Sequence, residues 1–101
     1  MPTSINCKDF IVEQLRGLEG VVCRPMMGEF LLYLNGVLFG GIYDDRLLIK
    51  KTNTNKSYAL AEEIPYQNAK PMYLVDNLDD TDYLNELIKK TCEDLSKKVT
   101  K

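Results

Sequence analysis

Asn35-Gly36 stands between two runs of strand-forming residues, EFLLYL before it and VLFGGIY after it. Asn followed by Gly tolerates the two consecutive positive φ angles of a type I′ turn, and flanked by such runs it is the strongest short-range hairpin signal a sequence carries. The pair commits the middle of the chain to antiparallel pairing, with a register set by the turn itself. Asp44-Asp45 then separates the second run from RLLIKK. The segment therefore reads as three consecutive antiparallel strands over residues 29–34, 37–43 and 46–51.

The flanking segments complete the fold. Proline cannot donate to a sheet ladder and pushes the residue before it toward extended backbone, so Arg24-Pro25 predicts an edge or kinked strand over 21–27, with Gly28 allowing a sharp bend. Phe10, Ile11, Leu15 and Leu18 recur at helical spacing, which predicts an amphipathic helix over 4–18, capped by Ser4 or Asn6 and stopped near Gly17 or Gly20. A short helix is expected over 56–63, ended by Pro65, then a strand over 70–75 in which Pro71 marks an edge or a first residue. Asp79, Asp80 and Asp82 crowd the start of a last helix with the stripe Leu84, Leu87, Ile88, Thr91 and Leu95. Lys89, Lys90, Lys97 and Lys98 weight its far end, as the helix dipole favours. The expectation is one α+β domain spanning residues 1–101. It has an antiparallel sheet of about five strands, helices at both ends and one between, in the order α-β-β-β-β-α-β-α, arranged in two layers.

Strict alternation places Phe30, Leu32 and Leu34 on one face of the second strand and Leu31 and Tyr33 on the other. In the third it groups Val37, Phe39 and Tyr43 against Leu38 and Ile42. Both faces are apolar, and large exposed apolar patches are uncommon on monomers. A helix, a second subunit or a partner protein is therefore expected over the second face. Gly40-Gly41 inside a strand marks a bulge or a close backbone approach.

Composition narrows the chemistry. The 101 residues include no histidine and no tryptophan, so Ser-His and Cys-His nucleophile pairs cannot be assembled. Three cysteines, Cys7, Cys23 and Cys92, without CxxC spacing give no disulfide framework and no zinc site. They suggest a reducing compartment, and with no signal-like amino terminus and no apolar run of about 20 residues the expected location is cytoplasmic, with no membrane span. Thirteen basic against fifteen acidic residues give a net charge of −2, which disfavours direct DNA binding. Neither GxGxxG nor GxxxxGK[ST] occurs. No cofactor or metal is expected, and the chain is read as non-enzymatic.

Two places carry site chemistry. Arg24, Met26, Met27, Gly28 and Glu29 combine a planar donor fork with adaptable thioethers; the alternative is that the methionines fill core gaps and Arg24 pairs with Glu29 or Asp44. Asp44, Asp45 and Arg46 offer a polar turn, although aspartates in turns usually bond nearby backbone. Cys23, beside Arg24, could have a lowered pKa and act as a redox sensor.

The stretch RPMMGEFLLYLNGVLFGGIYDDRLLIK, with Arg24, Met26, Met27, Gly28, Leu32, Tyr33, Gly36, Phe39, Asp44, Asp45, Leu47 and Lys50, resembles the amino-terminal domain of the TfoX/Sxy family of bacterial competence regulators. Pro71-Met72-Tyr73 fits a second block of that family. The resemblance implies an α+β fold similar to secretion chaperones and no catalytic residue, in a stand-alone member without the carboxyl-terminal domain of longer relatives. It adds Lys50, Met72 and Tyr73 to the candidate interaction surface. The expected function is regulation through protein contact, with self-association as a homodimer or a partner protein and transcription affected through that partner. A small-ligand site at the Arg24–Glu29 bend and the Asp44–Arg46 turn is the alternative.

Overall fold

Three two-residue turns organise the sheet. In a computed structural model that describes residues 3–99, with side chains described through Ser96, Met27-Gly28, Asn35-Gly36 and Asp44-Asp45 all have positive φ at both positions: 50° and 87°, 52° and 85°, 52° and 61°. That is the type I′ signature, whose twist matches that of the strands it joins. The turns link β1 (Val21–Met26), β2 (Glu29–Leu34), β3 (Val37–Tyr43) and β4 (Arg46–Ile49) into a meander. After a 3₁₀ turn at Asn55–Tyr58 come β5 (Glu62–Glu63) and β6 (Met72–Val75). β6 inserts beside β4, so the six strands run in the order β1-β2-β3-β4-β6-β5, antiparallel throughout.

Residues flanking a two-residue turn form a hydrogen-bonded pair, and bonded and non-bonded pairs alternate from there. Met26 and Glu29 flank the first turn, so Pro25, opposite Phe30, has its backbone directed away from β2. β1 is the outer strand. The missing N–H therefore faces the open edge, where it costs no ladder bond and leaves a stray strand one donor fewer to pair with. Pro71 lies just ahead of β6, where it too leaves the ladder intact.

A bulge between β2 and β3 changes the face assignment expected from alternation. Tyr33 pairs with Leu38 and Leu32 with Gly40, leaving Phe39 as the extra residue. Beyond it the parity is reversed: Ile42, opposite Phe30 and Leu47, joins Phe39 in the core, while Tyr43, opposite Arg46, turns to the other face with Leu38. Gly40 and Gly41 permit this. A Cβ on Gly40 would strike the Leu48 carbonyl oxygen, and one on Gly41 would come within 2.5 Å of the Phe30 oxygen.

Both helices cover one face. α1 (Ile5–Gln14) is capped by Ser4, whose Oγ accepts from the Cys7 N–H at 3.1 Å. It ends before the expected stop at Gly17 or Gly20, and Ile11 with the following Leu15 and Leu18 is buried, whereas Phe10 is 45% exposed. α2 (Thr81–Val99) starts with Asp80 Oδ1 accepting from the Tyr83 N–H. Leu84, Leu87, Ile88 and Cys92 of α2 pack with Leu32, Phe39, Ile42, Leu47, Ile49 and Val75 of the sheet. The side chains of Lys97 and Lys98 lie outside the described residues.

The helix expected at 56–63 is replaced by the 3₁₀ turn and β5. Fully buried Asn55 ties the turn down: its Nδ2 donates to the Lys50 carbonyl (2.8 Å) and to Thr91 Oγ1 (3.0 Å), and its Oδ1 accepts from the Thr52 N–H (2.8 Å). Ala59, at φ 56°, then turns the chain out of any helix. Met27 is 97% exposed at positive φ, a conformation that strains a long side chain and suits Asn. Met27→Asn is expected to raise the unfolding free energy by about 1 kcal/mol, read from urea denaturation followed by circular dichroism.

Candidate functional site

The face of the sheet away from the helices is apolar too. Val22, Arg24 and Met26 share it with Tyr33, Leu31 and Glu29 opposite them, and Leu38, Tyr43 and Leu48 continue it across β3 and β4. No helix covers it. The chain between β5 and β6 comes back over it instead: Pro65 is buried, and the Tyr66 ring lies tilted on Tyr43 with centroids 6.2 Å apart. The chain that follows β5, beyond the segment expected to be a helix, is thus a wall.

Arg46 holds that wall. Its Nη1 donates to Glu63 Oε1 at 2.7 Å, its Nη2 to the Ile64 carbonyl at 3.4 Å, and its Nε to its own hairpin's Tyr43 carbonyl at 3.2 Å. Between the wall and the sheet runs a groove of about 710 Å³. Leu31, Leu38 and Met26 form its floor with the side-chain-free Gly40, and Met72 and Tyr66 flank it. Lys50, Lys51 and Lys70 are the charged residues that line it. Lys51 Nζ sits 3.1 Å from Glu62 Oε1, an exposed pair of small energetic weight. Lys50 and Lys70 have no ion-pair partner among the described residues.

Arg46 apart, the residues singled out in the sequence divide into five groups. Met26, Lys50 and Met72 meet in the groove. Arg24 stands on the same face, its guanidinium 6.0 Å from the Tyr33 ring centroid, a cation–π distance and not an ion pair with Glu29. Met27 and Gly28 form the exposed hairpin tip, so Met27 fills no core gap. Glu29, Asp44 and Asp45 close a network with the amino terminus: Glu29 Oε1 accepts from the Thr3 N–H (3.1 Å), Thr3 Oγ1 (2.7 Å) and the Asp44 N–H (3.0 Å), and Asp45 Oδ1 accepts from the Ser4 N–H (2.8 Å). Tyr73 belongs to none of these surfaces: it is buried in the core on the helix side, opposite Ile49.

The groove residues that sequence reasoning missed are Lys51, Lys70 and Tyr66. The apolar second face signalled that a cover was needed. The cover's identity was hidden because residues 59–71 carry no periodicity.

This sheet, with its Arg24–Lys50 meander and two-helix cover, can be compared with known families. The TfoX N-terminal domain model matches residues 13–95. The chain belongs to this family. A Spirochaeta aurantia protein, described as an uncharacterized 12.7 kDa protein in the trpE 5′ region, is 30% identical over 80 residues, which is 77% of this chain and 70% of that protein.

In this TfoX N-terminal domain the residues of the resemblance take distinct places on the meander. Gly28, Gly36, Asp44 and Asp45 make the turns, Leu32, Phe39 and Leu47 the core, and Tyr33 and Lys50 the open face. The cysteines depart from the sensor expectation. Burial pushes the Cys23 thiol up, the neighbouring cation that opposes it is Lys8, not Arg24, and Asp9 adds to the rise. Burial and Asp45 raise Cys7, and burial alone pushes Cys92 up to about 11. A raised pKa keeps a thiol protonated, so nucleophilicity at neutral pH is reduced.

Two outcomes follow from this geometry. Arg46→Gln should release the wall and speed amide exchange across residues 64–69 by about tenfold or more, consistent with the loss of charge-assisted bonds worth about 1.5–3 kcal/mol, as read by hydrogen–deuterium exchange. In native protein at pH 8, Cys92 should resist a disulfide-exchange reagent that modifies it in urea; as pH rises past 9 the unfolded chain ionises this thiol first, so its contribution to stability is lost between pH 9 and about 11.

Proposed function

We propose that this domain is a non-enzymatic regulator that works by protein contact across the open face of its sheet, in the manner that its family's link to competence regulation implies. The contact is with a second copy of the chain. Transcription is affected through a partner engaged by that assembly, in a bacterial cytoplasm, and not by direct contact with DNA.

The observation that carries this reading is the apolar face left without a helix, where Val22 stays 46% exposed beside Tyr33, Leu31 and Leu38. Removing such surface from water is favourable by about 25 cal/mol per Å², and two such faces can stack as sheets do in sandwiches. Open-edge pairing is a weaker route, because Pro25 removes a donor from the free side of β1. The alternative of a small-ligand site at the Arg24–Glu29 bend and the Asp44–Arg46 turn has less support: Glu29, Asp45 and Arg46 spend their polar atoms on Thr3, Ser4, Glu63 and backbone. The absence of histidine and the raised thiols support a role without catalysis.

Light scattering coupled to size exclusion tests this directly. The apparent mass should rise above the 11.6 kDa of one chain as concentration increases, and Val22→Glu should weaken association by at least about tenfold. A strict monomer up to millimolar concentration would refute the self-associating form.

A further inference from the structure

We propose that the groove under the Tyr66 wall binds a small amphiphilic anion: an apolar body, such as an acyl chain, carrying a carboxylate head. The site goes beyond the protein-contact reading: it shares Leu31 and Leu38 with that face, but it takes its wall from Tyr66 and its cations from Lys50 and Lys70, and Val22 does not line it.

Four features of the groove converge on this ligand. Its volume of about 710 Å³ falls in the range of small-ligand sites, about 300–1,000 Å³. Its floor is apolar, formed by Met26, Leu31 and Leu38 with Gly40. Its charged lining is cationic, Lys50, Lys51 and Lys70 without an acid among the lining residues, although the chain as a whole carries a net charge of −2. Lys50 and Lys70 keep their ammonium groups free of ion pairs among the described residues, so an incoming anion displaces no internal partner.

The backbone favours a small amphiphile over an extended peptide. The floor crosses β2 and β3, whose main-chain groups are engaged on both sides in the sheet ladder. A peptide laid there would bring its own amides onto an apolar surface that offers them no partner, and each such unsatisfied group costs about 1–3 kcal/mol. An acyl chain has no such groups. Its head needs one or two cations at the rim, and lysine's flexible stem can deliver a point charge to a carboxylate from either side. Arg46 is a positioning residue here, since it fixes Glu63 and Ile64 and so the wall that follows them.

The test titrates the full chain with dodecanoate and follows backbone amides by NMR. Dodecyltrimethylammonium serves as the cationic control, and an acidic peptide of alternating Leu and Glu as the competing occupant. Saturable dodecanoate binding is expected below its micellar concentration, with shifts at Leu31, Leu38, Tyr66 and Met72. A Lys50→Gln/Lys70→Gln double variant that keeps its fold should bind roughly tenfold more weakly, and the cationic amphiphile should not compete. The proposal falls if dodecanoate does not saturate, if the cation binds equally well, if the shifts map elsewhere, or if the peptide binds where dodecanoate does not. Val22→Glu separates the two readings: it should weaken self-association and leave dodecanoate binding intact, since Val22 does not line the groove.

Discussion

Register is the constraint on which this structure depends. Three type I′ turns lock β1 to β4 into one pairing, and the pleat then assigns each side chain to the core or to the open face. A slip of one residue would exchange Leu32 for Leu31 and expose the core. The single exception to alternation is the bulge at Phe39, which brings Phe39 and Ile42 onto the same side although they are three residues apart. The two glycines that follow make the bulge possible because the backbones of β2 and β4 come too close there for any side chain.

The polar residues near the turns serve the fold before they can serve a ligand. Glu29 gathers three donors from Thr3 and Asp44 and so fastens the amino terminus to the hairpin ends. Arg46 bridges the third hairpin to the chain between β5 and β6. Through that bridge a residue on the open face itself, at the start of β4, determines whether that face is a flat surface or a groove. Lys50 and Lys70 are left without ion pairs among the described residues, over an apolar floor, which gives that face its chemical character.

Much of this was legible in the residues themselves. Asn35-Gly36 and Asp44-Asp45 announce their turns because few residue pairs accept positive φ twice, and Pro25 announces an edge because it lacks a donor. The helix stripes Ile11–Leu15–Leu18 and Leu84–Leu87–Ile88 are visible because burial on one face imposes a period. The expected helix at 56–63 failed because Asn55 is claimed by Lys50, Thr52 and Thr91, partners that only the folded chain brings near. Phe10 sat on the apolar stripe by spacing but lies at the margin of the helix contact, and Tyr73 was grouped with a surface by motif while its register sends it inward.

The sequence by itself determined the hairpins, the edge, the helix faces and the exclusion of histidine chemistry, since these follow from local backbone geometry, periodicity and the presence or absence of a side chain. Tertiary structure alone decided which face each residue beyond the bulge occupies, and what covers the second face. Bulges and walls arise from contacts between residues distant in the chain, such as Arg46 with Glu63 and Tyr43 with Tyr66, and no local pattern encodes them.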